Sequence, residues 1–273
     1  MAVRTTTGPT PRAGIFPNGM EYLRWGEGPR TAVFIPGGPG SSVPTGTARR
    51  AAGHWFRPFL EAGYTVWQTT RRRHMPAGHS VVDMADDYAR VIDEELGPVD
   101  LVVGESFGGM IAQHLVGRHP GNTSRLALVV TGCEVSAWGK EVDTRLADAL
   151  RRGDRLAAGA AFTEYVLPGE RLRPVRRLLA PLTARAVIDA VPTEDMLVEV
   201  ESELTFDSRA VLPRIEVPVL LVCGGRDRFF LPPVVRETAR LIADCTLVWY
   251  PGAGHVRVAT SSHVPCDVLA FAA

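Results

Sequence analysis

The stretch Val99-Asp100-Leu101-Val102-Val103-Gly104-Glu105-Ser106-Phe107-Gly108-Gly109-Met110 decides the fold. It opens on an apolar run, Val99 to Val103, broken only by Asp100, close to the pattern of a strand buried on both faces of a parallel sheet. It runs on into the amphipathic segment Met110 to His119, which predicts a helix. Between them, glycines flank Ser106 at i−2 and i+2. G-x-S-x-G between a strand and a helix is the signature of a nucleophile elbow. The turn is so tight that side chains near the serine would clash, and the strained serine points its Oγ out over the sheet edge.

On either side of this stretch, strands and helices alternate. Asn18-Gly19 predicts a hairpin turn between Gly14-Ile15-Phe16 and the run Met20 to Trp25. Thr31 to Ile35, Tyr64 to Thr69 and Leu126 to Thr131 read as strands. Val82 to Leu96 carries apolar residues at helical spacing. From Glu134 to about Ala210 no convincing strand is found, and helix-like stretches near 142–151, 156–166, 173–180 and 194–204 are broken by Pro168, Pro181 and Pro192. Alternation resumes with a strand at Val217 to Cys223, a helix near Pro233 to Ile242, a strand at Thr246 to Tyr250 and a helix over much of Val256 to Phe271. The expected fold class is α/β: a mostly parallel central sheet with helices on both faces. The expected division is a core of 1–133 and 211–273 with a helical cap at 134–210.

Composition excludes several function classes. Thirty basic residues balance thirty acidic ones, which argues against nucleic acid or an anionic membrane as the main partner. No run approaches the 18 or so apolar residues of a membrane span. The polar segment Met1 to Arg12 lacks the apolar core of a secretion signal. Cys133, Cys223, Cys245 and Cys266 show no CxxC spacing, and a buried, reduced Cys223 fits a cytoplasmic protein. No metal or cofactor is expected. The expected partner is a small-molecule substrate, and the chain is expected to be a monomer or homodimer.

Two further loops follow strand ends. Asp227 closes Gly224-Gly225-Arg226-Asp227, and His255 closes Gly252-Ala253-Gly254-His255. Ligands of open α/β sheets bind at the carboxyl ends of strands. A serine hydroxyl needs a positioned base; His255 suits that role, with Asp227 to fix its tautomer. Glu134 and His263 are the rival acid and base.

The order Ser106, Asp227, His255 resembles that of the α/β-hydrolase triad, and the likeness to a capped α/β-hydrolase covers nearly the full chain. The resemblance implies acyl transfer, with the backbone N–H groups of Phe107 and Gly38 as oxyanion donors. Pro36-Gly37-Gly38-Pro39-Gly40 is similar to the His-Gly-Gly-Pro-Gly loop of the proline iminopeptidase branch, with proline in place of the histidine that supports the loop. The expected activity is hydrolysis of a small or medium carboxylic ester, lactone or thioester by a serine hydrolase. The alternatives are a proline iminopeptidase-like aminopeptidase, and a hydrolase-like binding or biosynthetic (cyclase or lyase-like) protein. Trp138, Phe162, Tyr165 and Met196 are candidates to line an apolar acyl pocket. Where many relatives have an Asp-Arg-Gly-type turn, this chain has Thr70-Arg71-Arg72-Arg73-His74, expected to be a solvated basic loop or else an anion contact for an acidic substrate. The acidic run Glu194, Asp195, Glu199, Glu201 and Glu203 reads as a solvated helix face, or in an aminopeptidase as the ammonium site.

Overall fold

A computed structural model describes residues 10–273. Its strands are β1 (Arg12–Ile15), β2 (Glu21–Trp25), β3 (Arg30–Ile35), β4 (Tyr64–Thr69), β5 (Leu101–Glu105), β6 (Leu126–Val129), β7 (Val219–Gly224) and β8 (Cys245–Tyr250). They form one sheet in the order β1-β2-β4-β3-β5-β6-β7-β8. β1 and β2 are an antiparallel hairpin at the Asn18-Gly19 turn, and β2 also meets β4 antiparallel. From β4 to β8 every pairing is parallel. This is the α/β-hydrolase fold, with the central strand β5 leading into the serine turn.

The helices are α1 (Gly46–Glu61), α2 (Val81–Val91), α3 (Phe107–Arg118), α4 (Ala137–Arg151), α5 (Arg155–Val166), α6 (Arg173–Ala186), α7 (Thr193–Leu204), α8 (Pro232–Leu241), α9 (His255–Ala259) and α10 (Val264–Ala272). Alternate residues of each central strand feed opposite faces of the sheet. Val33, Val102, Leu128 and Leu221 pack with Met84, Tyr88, Ile111 and Val235 on one side. Phe34, Val103, Val129 and Val222 pack with Phe56, Phe59, Val264 and Val268 on the other. Both faces are therefore covered, which explains why these strands read as continuous apolar runs. Helices α4 to α7 leave the sheet between β6 and β7 and hold a separate cluster around Leu146, Leu150, Ala158, Ala184, Met196 and Val200.

Several boundaries differ from expectation. The strand before the serine is shifted to Leu101–Glu105, and Val99 makes only an isolated bridge to Thr123. The helix expected over 82–96 runs as α2 to Val91 and then widens into a π-turn over Ile92–Leu96. The C-terminal helix is two pieces, α9 and α10, separated at Thr260–His263. Helix α1 was not anticipated at all. It has no side-chain cap at Thr45, and Pro58 sits inside it, so the usual start and stop signals are missing. Among the described residues, all four cysteines are free, and no helix is long and apolar enough to cross a membrane.

Candidate active site

Ser106 occupies the turn between β5 and α3 at φ 51°, ψ −115°, a left-handed conformation that a non-glycine residue adopts only at a cost of about 1–3 kcal/mol. The flanking glycines make it sterically feasible. A Cβ on Gly108 would stand 2.1 Å from the Ile35 carbonyl oxygen, and one on Gly104 would stand 2.7 Å from Cβ of Ala112. Without side chains at these positions, α3 packs directly across β3 and β5. The amide of Ser106 still donates to the Val129 carbonyl at 2.8 Å, so the ladder runs up to the serine itself.

The base and the acid come from adjacent strand ends. His255 begins α9, and its Nε2 lies 2.9 Å from Ser106 Oγ. Its Nδ1 lies 2.7 Å from Asp227 Oδ2. The other Asp227 oxygen accepts from the Phe229 and Phe230 amides at 2.8 and 3.2 Å. The carboxylate is 3 % exposed and fully engaged. These two loops meet because the first begins with glycines: a Cβ on Gly224 would reach 2.4 Å from the Ala253 carbonyl oxygen, and one on Gly225 2.6 Å from that of Pro251. The His255 ring is steadied between Phe229 and Phe230, with ring centroids 5.1 and 6.0 Å away. Such a series can move a proton from hydroxyl to imidazole while the carboxylate holds the ring orientation.

The glycine loop after β3 lies against the serine. A Cβ on Gly37 would come within 2.9 Å of Ser106 Cβ, and Gly38 has φ 67°. On its far side the loop is held by Arg71. The guanidinium donates to the Pro36 carbonyl at 2.8 Å and to the Gly38 carbonyl. It also forms a bidentate pair with Glu199 at 3.0 and 2.8 Å. Glu199 Oε2 in turn accepts from the Gly40 amide at 2.5 Å.

Beside Ser106 lies a cavity of about 210 Å³, lined by Gly37, Gly38, Phe162, Tyr165, Phe229 and Val256 among others. Two carboxyls, Glu105 and Glu203, also reach it. Burial pushes Glu105 up to about 7, with nearby His255 pulling the other way. Burial pushes Glu203 well above the usual carboxylate range, and the neighbouring Asp143 carboxyl adds to the shift. The cavity is thus lined mainly by apolar side chains, and burial raises the pKa of both acids that border it.

A sequence profile of the alpha/beta hydrolase family matches residues 32–270. The chain belongs to the alpha/beta hydrolase family. It is 26% identical over 240 residues to a protein of Yersinia enterocolitica named "Putative carbamate hydrolase RutD", covering 85% of this chain and 83% of that one. It is 30% identical over 165 residues to a pimeloyl-[acyl-carrier protein] methyl ester esterase of Chromobacterium violaceum, covering 56% of this chain and 62% of the esterase. Among solved structures, the enol-lactonase of Burkholderia xenovorans LB400 superposes with a TM-score of 0.70 at 21% identity, over 93% of this chain and 97% of that one. That last likeness speaks to fold alone.

Within this alpha/beta hydrolase the structure brings together Ser106, Asp227, His255, Phe107, Gly38, Phe162 and Tyr165, and sets others apart. Trp138 does not reach the serine cavity; it packs edge-on against Phe229 at 4.8 Å beneath the Arg228 guanidinium. Met196 is fully buried in the helical insertion, with its methyl group against Gly40. Glu134 is taken up by Lys140 and Arg209, at 3.3 and 2.9 Å, and His263 is an exposed residue ahead of α10. The triple-arginine segment is not a free solvated loop, because each arginine is engaged by a carboxylate of the chain itself, Arg71 by Glu199. Arg71 is 1 % exposed; Arg72 pairs with Asp87 at 3.5 Å, and Arg73 with Glu21 at 2.9 Å. The acidic run of α7 is not a solvated face either. Asp195, Glu199 and Glu203 are buried, while Glu194 is exposed and Glu201 pairs with Arg151. Sequence reasoning missed Glu105, Phe229 and Phe230; each adjoins a residue it had singled out, or falls in the same loop, which is the signal that could have found them.

Proposed function

We propose that the chain is a serine hydrolase that cleaves a small or medium carboxylic ester, lactone or thioester. The observation that carries this reading is the continuous series from Ser106 Oγ through both ring nitrogens of His255 to Asp227, at 2.9 and 2.7 Å, opening on an apolar cavity. Ser106 attacks the substrate carbonyl while His255 Nε2 takes the hydroxyl proton. The tetrahedral oxyanion receives hydrogen bonds from the amides of Phe107, at the head of α3, and Gly38; one such donor is worth about 3 kcal/mol in the transition state. The intermediate collapses to an acyl-enzyme on Ser106, and His255 returns the proton to the leaving oxygen or sulfur. Water activated by His255 then releases the acid. Asp227 holds the imidazole and stabilises its charged form. Helices α4 to α7 act as a cap: α5 supplies Phe162 and Tyr165 to the acyl side, and the small cavity suits a short acyl group. The working protein is a cytoplasmic monomer or homodimer without a cofactor.

Glu203 favours a second reading, a proline iminopeptidase-like aminopeptidase. Its carboxyl borders the cavity, where it could meet a substrate ammonium. The preference of that acid for its neutral form supports the ester reading over this one. One substrate panel separates the two. Purified protein should turn over p-nitrophenyl acetate or butyrate in preference to prolyl-naphthylamide, and Ser106→Ala should lower ester kcat by at least about 10⁴-fold. Full turnover by the alanine variant sinks the serine mechanism; preferential amide cleavage moves the reading to the aminopeptidase.

A further inference from the structure

Arg71 and Glu199 are each 1 % exposed, and their contacts converge on one loop. Taking both charges out of water is costly, and an apolar pair of similar volume often does as well or better, so a buried ion pair is a poor device for stability alone. What this pair does is specific. Arg71 holds the carbonyls of Pro36 and Gly38, the peptide units on either side of the Gly37–Gly38 peptide. That central peptide carries the Gly38 N–H assigned to the oxyanion. Glu199 holds the Gly40 amide two residues further on. The Arg71 amide donates to Ser41 Oγ at 2.9 Å, and Arg73 donates to the Ser41 carbonyl at 2.8 Å. The Arg71 guanidinium also sits 4.7 Å from the ring centroid of Phe107, whose amide is the other assigned donor. One cation thus holds the backbone on both sides of the Gly38 amide and packs on the side chain of the residue that carries the other donor. The loop's first residue is Pro36, which offers no side-chain polar atom, and a loop of three glycines and two prolines has no side chain able to fix its own amides.

Building on the acyl-enzyme reading, we propose that Arg71 and Glu199 are positioning residues for the oxyanion hole. Through them helix α7 of the cap sets the geometry of the glycine loop. Neither side chain touches the reacting atoms.

The test compares Glu199→Gln, Arg71→Lys and the rim control Glu201→Gln on p-nitrophenyl butyrate. The affinity of a butyl boronic acid, which forms a tetrahedral adduct with the serine, is measured in parallel. Glu199→Gln should lower kcat about tenfold or more while KM stays within about threefold, with boronate affinity falling in step with kcat/KM. Arg71→Lys should lose at least as much, because an ammonium cannot span both carbonyls and the carboxylate at once. Glu201→Gln should match the parent chain. The proposal fails if Glu199→Gln keeps parental kcat and boronate affinity, if its only change is a lower melting temperature, or if it cannot fold. A Ser106→Ala control separates the two levels: full turnover there removes the acyl-enzyme reading and this inference with it. An inactive Ser106→Ala beside a fully active Glu199→Gln removes this inference alone.

Discussion

Helices α6 and α7 belong to the same insertion, and they use polarity in opposite ways. Helix α6 turns Leu178 and Leu182 to solvent, 79% and 67% exposed, and surrounds them with arginines. Helix α7 draws three of its five acids inward, Asp195, Glu199 and Glu203, the first two only 1 % exposed. Sequence polarity alone would assign the acidic helix to water and the leucine-bearing helix to the interior. The inversion teaches what each helix faces. Helix α7 lies against loops of the core that present backbone amides and a guanidinium, so its carboxylates find partners. Helix α6 packs mainly on α5, inside the insertion, and its outer face meets nothing further among the described residues.

The sharpest way to break this comparison is Asp195→Ala. Asp195 accepts from the His74 and Met75 amides at 3.0 and 2.8 Å, and the alanine leaves both without a partner. The expected loss is about 3 kcal/mol of stability in urea melts. A loss below about 1 kcal/mol would show that α7 is not fastened there. A middle-sized effect should come from Asp143→Asn, beneath α7. One Asp143 oxygen accepts from Tyr165 at 2.5 Å, and the other is buried with no partner. Burial pushes this carboxyl up to about 7, against the pull of the Tyr165 hydroxyl. Unfolded, the group releases its proton near pH 4. Between about pH 4 and 7 the native chain keeps a proton that the unfolded chain has lost, so the contribution of this group is full below about pH 4. It fades as pH rises through 7, with a slope of up to about 1.4 kcal/mol per pH unit. Denaturant melts at pH 5 and 7.5 should show a smaller difference in the asparagine variant than in the parent; equal differences would mean that Asp143 is ionised in the folded state. The smallest effect is expected on α6. Leu178→Ser with Leu182→Ser should leave stability within about 0.5 kcal/mol. A larger drop in a thermal melt would show that these leucines are packed after all.

The legibility of the chain follows the same divide. Ser106, Asp227 and His255 could be read because each follows a recognisable strand and because glycines mark where backbones must touch. The alternation of strands and helices gave the sheet and its two covered faces. What could not be read depends on distant partners. Arg71 is 128 positions from Glu199, so nothing local distinguishes it from the solvated arginines common in this chain. Trp138 and Met196 looked equivalent to Phe162 and Tyr165 by residue type, yet helical phase turns them toward Phe229 and Gly40 instead of the cavity. Helix α1 escaped because it lacks a capping side chain and carries an internal proline, while its apolar residues Phe56 and Phe59 are held by the sheet.

The direct pairing of β6 with β7, Leu126 beside Val219 and Val129 beside Val222, has a consequence for how such proteins diversify. The insertion leaves and re-enters at neighbouring strands, so the sheet sees it only as a long loop. Lengthening a loop twofold costs only about 0.6 kcal/mol in closure entropy. A lineage could therefore exchange the whole block for another of different length with little penalty to the strands beneath. The Arg71–Glu199 link restricts that freedom: any replacement block must bring a carboxylate to the same place, or the arginine is left with a buried charge and no counter-ion.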